Sequence, residues 1–191
     1  GVLFGLYTAA VVYALGSFLE ERFPHEETPF YTAFFSSAGV EEAVKFLFLF
    51  FLIWGNRNFN EPLDGIVYGV FVSLGFAWAE NVIYVTHPIL GGYETALERA
   101  LLSVPGHGLF GVRMGYYFAL GKYRNRKRYL PLAFFSPYLA HALYNYFLLK
   151  REPVFWLFFS VLEVRLWVFG LKRIKELQNC SPFREKVSKE S

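Results

Sequence analysis

The apolar residues of this chain come in long blocks, and block length limits its fold more than any other feature. Six stretches, about 2–19, 30–54, 63–86, 96–120, 129–149 and 153–171, are dominated by apolar and aromatic residues and separated by short polar connectors. Each approaches the roughly 20 residues that a helix needs to cross the hydrocarbon core of a bilayer. Composition points to the same solvent. Of the 191 residues 54% are hydrophobic, 23 are phenylalanine and only 18% are charged, where soluble domains carry about 25% charged residues. A water-soluble core of this size has no use for so many aromatic side chains. The expected fold is all-α: a polytopic transmembrane helical bundle of about six spans over residues 1–171, with a charged, cytoplasmic C-terminal tail over 172–191.

The chain begins with glycine, as expected of a processed or truncated form with a segment upstream, and residues 1–19 read as a span rather than a secretory signal. Cys180 is the single cysteine, so no intrachain disulfide forms. There is no internal repeat. The expected surroundings are a lipid bilayer, with no nucleic-acid partner; the oligomeric state is not legible.

Lysine and arginine positions orient the bundle. The connector at 121–128 holds Lys122, Arg124, Arg126, Lys127 and Arg128, the connector at 55–62 holds Arg57, and the tail opens with Lys172, Arg173 and Lys175. The connectors at 20–28 and 87–94 hold Arg22 and no basic residue, respectively. The first group is expected in the cytoplasm and the second outside, with Lys150 and Arg151 as the one contrary pair. His25 and His87 fall in outer connectors and read as solvated. On the third span Gly65, Gly69, Ser73 and Ala77 recur every fourth residue, and on the fourth Gly111 and Gly115 follow His107 at the same spacing; such stripes let helix backbones approach closely. Pro105 removes a backbone donor two residues before His107 and is expected to kink that helix.

Against this apolar background, ionisable residues inside the spans stand out. They are Glu41, Glu42 and Lys45, Glu80 with Asn81, His107 and Arg113, His141 with Asn145, and Glu163 with Arg165. A charge at the bilayer centre costs roughly 2.5–3.5 kcal/mol on insertion scales, so such groups usually face a bundle interior or a water-filled cavity. Counting inward from the outer span ends at about 1.5 Å per residue puts Glu41 and Glu42 about 16–18 Å deep, Glu80 about 9 Å, His107 about 16 Å, His141 about 12 Å and Asn145 about 6 Å. Four antiparallel helices thus bring their polar groups to the outer half of the membrane. Lys45 lies three and four residues beyond the glutamate pair, on their face, and offsets one carboxylate; Arg113 reads as a further counter-charge. Glu163 and Arg165 point to different faces and read as structural.

Paired carboxylates with two histidines suit the activation of water. A carboxylate in such a place can act as a general base, while His and Asn donors stabilise a tetrahedral oxyanion. The catalytic candidates are Glu41, Glu42, Glu80, His107, His141 and Asn145, with Lys45 and Arg113 in support. No serine or cysteine nucleophile accompanies them. A second possibility is one divalent metal, zinc, held by Glu80, His107 and His141, because catalytic zinc commonly has three protein ligands and a water. Both possibilities stay open.

The ordered set "EEAVK" (41–45), "DGIVYGVFVSLGFAWAEN" (64–81), "HGLFG" (107–111) and "HALYN" (141–145) resembles the PrsW family of intramembrane proteases, which is related to the type II CAAX prenyl proteases and to the Aph-1 scaffold subunit of gamma-secretase. Those relatives show E-E-x-x-x-R, F-x-x-x-H and H-x-x-x-N. Here Lys45 stands one residue early in place of the arginine, Glu80 replaces the histidine four residues after Phe76, and His141 with Asn145 keeps the third pattern. The resemblance implies that Glu41 or Glu42 activates water, that His141 and Asn145 support the oxyanion, and that His107 takes over the second-motif role. It further implies an integral protein of a bacterial or archaeal cell membrane and a single-span membrane protein as substrate, anti-sigma-factor-like, cut near its outer face. Two other classes compete: a non-catalytic scaffold of the Aph-1 kind and a transporter subunit.

Overall fold

A computed structural model describes residues 2–22, 28–86 and 92–183. Among them every regular element is helical and there is no strand. Six rods follow one another: α1 (Val2–Arg22), α2 (29–53), α3 (Pro62–Thr86), α4 (93–123), α5 (Arg126–Lys150) and α6 (Pro153–Asn179). Each candidate span falls on one of them. By length and composition α3 and α6 are apolar enough to cross a membrane unaided. His25 and His87 lie outside the described residues, as does the tail from 184 onward.

Local chemistry sets the helix starts. Thr28 caps α2, its hydroxyl accepting from the Tyr31 N–H at 3.2 Å, and Pro29 follows at the first helical position. Asp64 reaches back from the first turn of α3 to the N–H groups of Asn60 and Glu61 at 2.9 and 3.0 Å, satisfying donors that the helix leaves free. Asn125 caps α5 by accepting from the Arg128 N–H. Helix α6 does not stop at 171, where the charged tail is expected to begin. It continues to Asn179, because the charged stretch is amphipathic enough to dock: Leu177 is buried with Phe59 and Phe118, and the Tyr116 hydroxyl bonds Glu176 at 3.2 Å.

The centre of the bundle is the α3–α4 pair. Gly65, Gly69 and Ser73 meet Gly111 and Gly115 so closely that a Cβ built on Gly69 would lie 2.5 Å from the Gly111 carbonyl oxygen. Helix α5 packs on the other face of α4, the first half of α2 lies against α5, and α1 lies along α3 with Ala9 and Val12 against Phe76 and Ala79. The apolar core gathers at the end where α2 and α4 terminate. There Phe59 stacks on Phe118, and Lys122 donates to the carbonyls of Trp54 and Phe59 at 3.1 and 2.9 Å. Outward faces are also apolar: Phe51 is 76% exposed, Leu157 63% and Phe71 59%. Large apolar side chains exposed in such numbers suit a hydrocarbon surrounding.

Candidate active site

The polar groups gather at the opposite end of the bundle from that core. A cavity of about 380 Å³ opens where α2 and α4 begin and α3 and α5 end; Ser37, Glu41, Glu80, His107, His141 and Asn145 line it. Two departures from regular α-helix shape its walls. Helix α2 widens to π-helical bonding over Thr32–Gly39, one turn ahead of the glutamate pair, and α4 does so over Arg99–Ser103, one turn ahead of His107. Pro105 has no N–H to give to the carbonyl four residues back, and the wide turn sits immediately before it.

Lys45 is the hub. Its Nζ lies 2.8 Å from Glu42 Oε1, 3.3 Å from Glu41 Oε2 and 3.1 Å from His107 Nδ1, and 4.2 Å above the centre of the Phe76 ring. It is the largest fully buried side chain. A lysine only donates, so His107 accepts on Nδ1 and carries its proton on Nε2. That proton goes to Glu80 Oε2 at 3.1 Å. Glu80 in turn accepts from Arg99 at 2.8 Å, and the same guanidinium bonds Asn81 at 2.7 Å and Ser103 at 3.1 Å while lying over Tyr84.

A second chain of hydrogen bonds runs from Asn145. Its amide donates to Ser37 Oγ at 2.9 Å and to His141 Nε2 at 3.1 Å. Ser37 passes its own proton to Glu41 Oε1 at 2.9 Å, and His141 donates from Nδ1 to Glu42 Oε1 at 3.0 Å. Phe110 stacks on the His141 ring at 4.6 Å and fixes its plane. Both chains therefore end on carboxylates: Glu80 in the first, Glu41 and Glu42 in the second.

The two glutamates are not equivalent. Glu41 reaches the cavity, whereas Glu42 lies behind it, fully buried, orienting Lys45 and His141. Neighbouring helix positions differ by about 100°, and that rotation separates them. Glu42 Oε2 has no hydrogen-bond partner among the described residues.

Arg113 and Glu80 sit differently from their sequence reading. Arg113 pairs with no carboxylate among the described residues: its guanidinium donates to Ser136 at 2.9 Å and lies over Phe169, less than two turns past His107 on α4. Arg99 does that work, and the reading of span four missed it. Its signal was an unassigned arginine at the outer end of span four, the end Glu80 approaches. Ser37 was missed too, although it stands one turn before Glu41 on the same face. Glu80, grouped above with His107 and His141 as a ligand set, binds His107 and Arg99 instead. The groups with ligand atoms all within 4.8 Å of one another are Glu41, Glu42, His107 and His141, among the described residues. Three of those four already hold the Lys45 ammonium.

Removing Arg99 tests how far Glu80 depends on it. We expect Arg99→Ala to lower stability by about 2 kcal/mol, because one partner of a largely buried pair is left behind. Arg99→Ala combined with Glu80→Gln should recover most of the loss in thermal unfolding in detergent.

Helices with apolar outer faces around an enclosed charged centre define the class: a polytopic helical protein built for a membrane, with chemistry-bearing side chains inside. A family model described as "PrsW family intramembrane metalloprotease" matches residues 1–170. Protease PrsW of Geobacillus kaustophilus is 40% identical over 152 residues, 78% of this chain and 65% of that protein. Protease PrsW of Oceanobacillus iheyensis is 41% identical over 148 residues, 76% of this chain and 67% of that protein. Protease PrsW of Bacillus subtilis is 37% identical over 154 residues, 78% and 68% respectively. The chain belongs to the PrsW family and is an integral membrane protein; it spans 65–68% of the length of these three relatives. No solved structure matches it.

Proposed function

We propose that this chain is an intramembrane endopeptidase that hydrolyses a peptide bond in a single-span membrane protein with water activated by Glu41. The observation that carries the reading is the cavity itself. One carboxylate of the pair reaches it, flanked by two oriented histidines and an amide donor, inside a bundle that is otherwise apolar. Glu41 takes a proton from water as the water oxygen attacks the scissile carbonyl carbon. Asn145 stands on the same wall and turns an N–H from Ser37 toward the oxyanion that forms. Glu41 then gives that proton to the amide nitrogen as the C–N bond breaks. Lys45 and Glu42 hold His107 and His141 in place.

The basic connectors at 55–62 and 121–128 and the C-terminal end of α6 lie on the cytoplasmic side in this reading, and the cavity lies toward the outside. A single-span substrate cut near its outer face, of the anti-sigma-factor kind implied by the family resemblance, suits that geometry. The test is co-reconstitution with a tagged single-span substrate. Wild type should release a fragment cut near the outer membrane face, and His141→Ala and Asn145→Ala should each slow its release about 10²- to 10³-fold. Unchanged cleavage in both variants would overturn the assignment, and absence of any cleavage in wild type would favour the scaffold class.

A further inference from the structure

We infer that Lys45 is the resident cation of this centre, and that its ammonium occupies the place a divalent metal would need. An ammonium has three donors, and three acceptors from two helices converge on this one: Glu41 Oε2 at 3.3 Å, Glu42 Oε1 at 2.8 Å and His107 Nδ1 at 3.1 Å. The ring of Phe76 closes the fourth side at 4.2 Å. Helix geometry sets the arrangement, since Lys45 is four residues from Glu41 and three from Glu42. The side chain is 0% exposed, so these acceptors stand in for the water that its charge has lost.

The histidines agree with that occupancy. A metal takes the lone pair of a ring nitrogen. On His107 the Nδ1 lone pair is spent on Lys45 and Nε2 carries the proton given to Glu80. On His141 the Nε2 lone pair is spent on Asn145 and Nδ1 carries the proton given to Glu42. One ligand atom from each of Glu41, Glu42 and His107 already points at the lysine, and Glu42 Oε2 is the one carboxylate oxygen of the pair left without a partner among the described residues. A divalent ion entering there would face a like charge at hydrogen-bond distance. The residues present do not fit a resident metal, and the "metalloprotease" of the family's description does not carry over to this chain's centre. The inference concerns the same side chains as the proposed hydrolysis but does not depend on it, because metal content is read whether or not a substrate is cleaved.

The experiment is elemental analysis of purified, detergent-solubilised protein incubated with zinc and desalted, alongside thermal unfolding with and without zinc. Wild type should retain far less than one zinc per chain and show no zinc-dependent rise in Tm. Lys45→Met keeps the volume and all four ligand groups; it should gain about one zinc per chain, a rise in Tm with zinc, and lose both when His141→Ala is added. Should Lys45→Met fail to fold, Lys45→Met with Glu42→Gln removes one charge of each sign, leaves Glu41, His107 and His141, and serves for the same comparison. A wild-type protein with one tightly held metal per chain, lost in His107→Ala, would overturn the inference. So would a folded lysine variant that takes up no zinc.

Discussion

Glu41→Gln is expected to lower cleavage of a single-span substrate about 10³-fold, within the range a positioned general base contributes. The substitution keeps the size of the side chain and one of the two acceptor oxygens that Ser37 and Lys45 use, and Lys45 keeps its closer partner Glu42, so the fold should survive it. Glu42→Gln has a different signature. Glu42 is fully buried, 2.8 Å from Lys45 and 3.0 Å from His141 Nδ1. Taking its charge away leaves the closest partner of a buried ammonium neutral, and breaking a buried pair costs about 3–5 kcal/mol. Its variant should therefore lose stability first and activity with it. The pair is compared by cleavage rate in proteoliposomes and thermal unfolding in detergent. Full activity in Glu41→Gln would remove that residue from the role of base, and a Glu42→Gln protein as stable as wild type would deny Glu42 the supporting one.

Gly115→Val should disrupt the bundle. A Cβ on Gly115 would lie 2.1 Å from the Gly65 carbonyl oxygen and 2.7 Å from Ile66 Cα. Both neighbours are backbone, so no rotamer change relieves the clash and α3 must move away from α4. Overpacking typically costs about 1–3 kcal/mol where side chains can give way, and backbone against backbone should cost more. Those two helices carry Glu80 and His107, so activity should fall along with folding. Gly108→Ala is the control. It lies in the same helix, but its added methyl would meet only Leu74 Cδ2 at 3.5 Å, an ordinary contact. A gain of up to about 1 kcal/mol from helix propensity is expected there. Equal Tm values for the two variants would mean that the glycine stripe does not set the α3–α4 distance.

What the sequence determined by itself was everything that depends on one helix at a time. Apolar blocks of spanning length became α1 to α6 because backbone groups in hydrocarbon must pair within their own segment. Lys45 could be placed against Glu41 and Glu42 because three- and four-residue spacing is fixed by the helix repeat. The gathering of Glu80, His107, His141 and Asn145 with that pair was legible from depth alone, since rise per residue is nearly constant. Rotation about each helix axis was not legible. A helix that is apolar on nearly all sides has no polar face to declare which way it turns, so the contacts between helices came only with the tertiary structure. That is why Arg99 rather than Arg113 meets Glu80, why Lys45 reaches His107 across 62 residues of sequence, and why Glu41 rather than Glu42 lines the cavity. The same reason holds at the far end, where the run after 171 is charged by composition and yet continues α6, because Leu177 finds a core already built by Phe59 and Phe118.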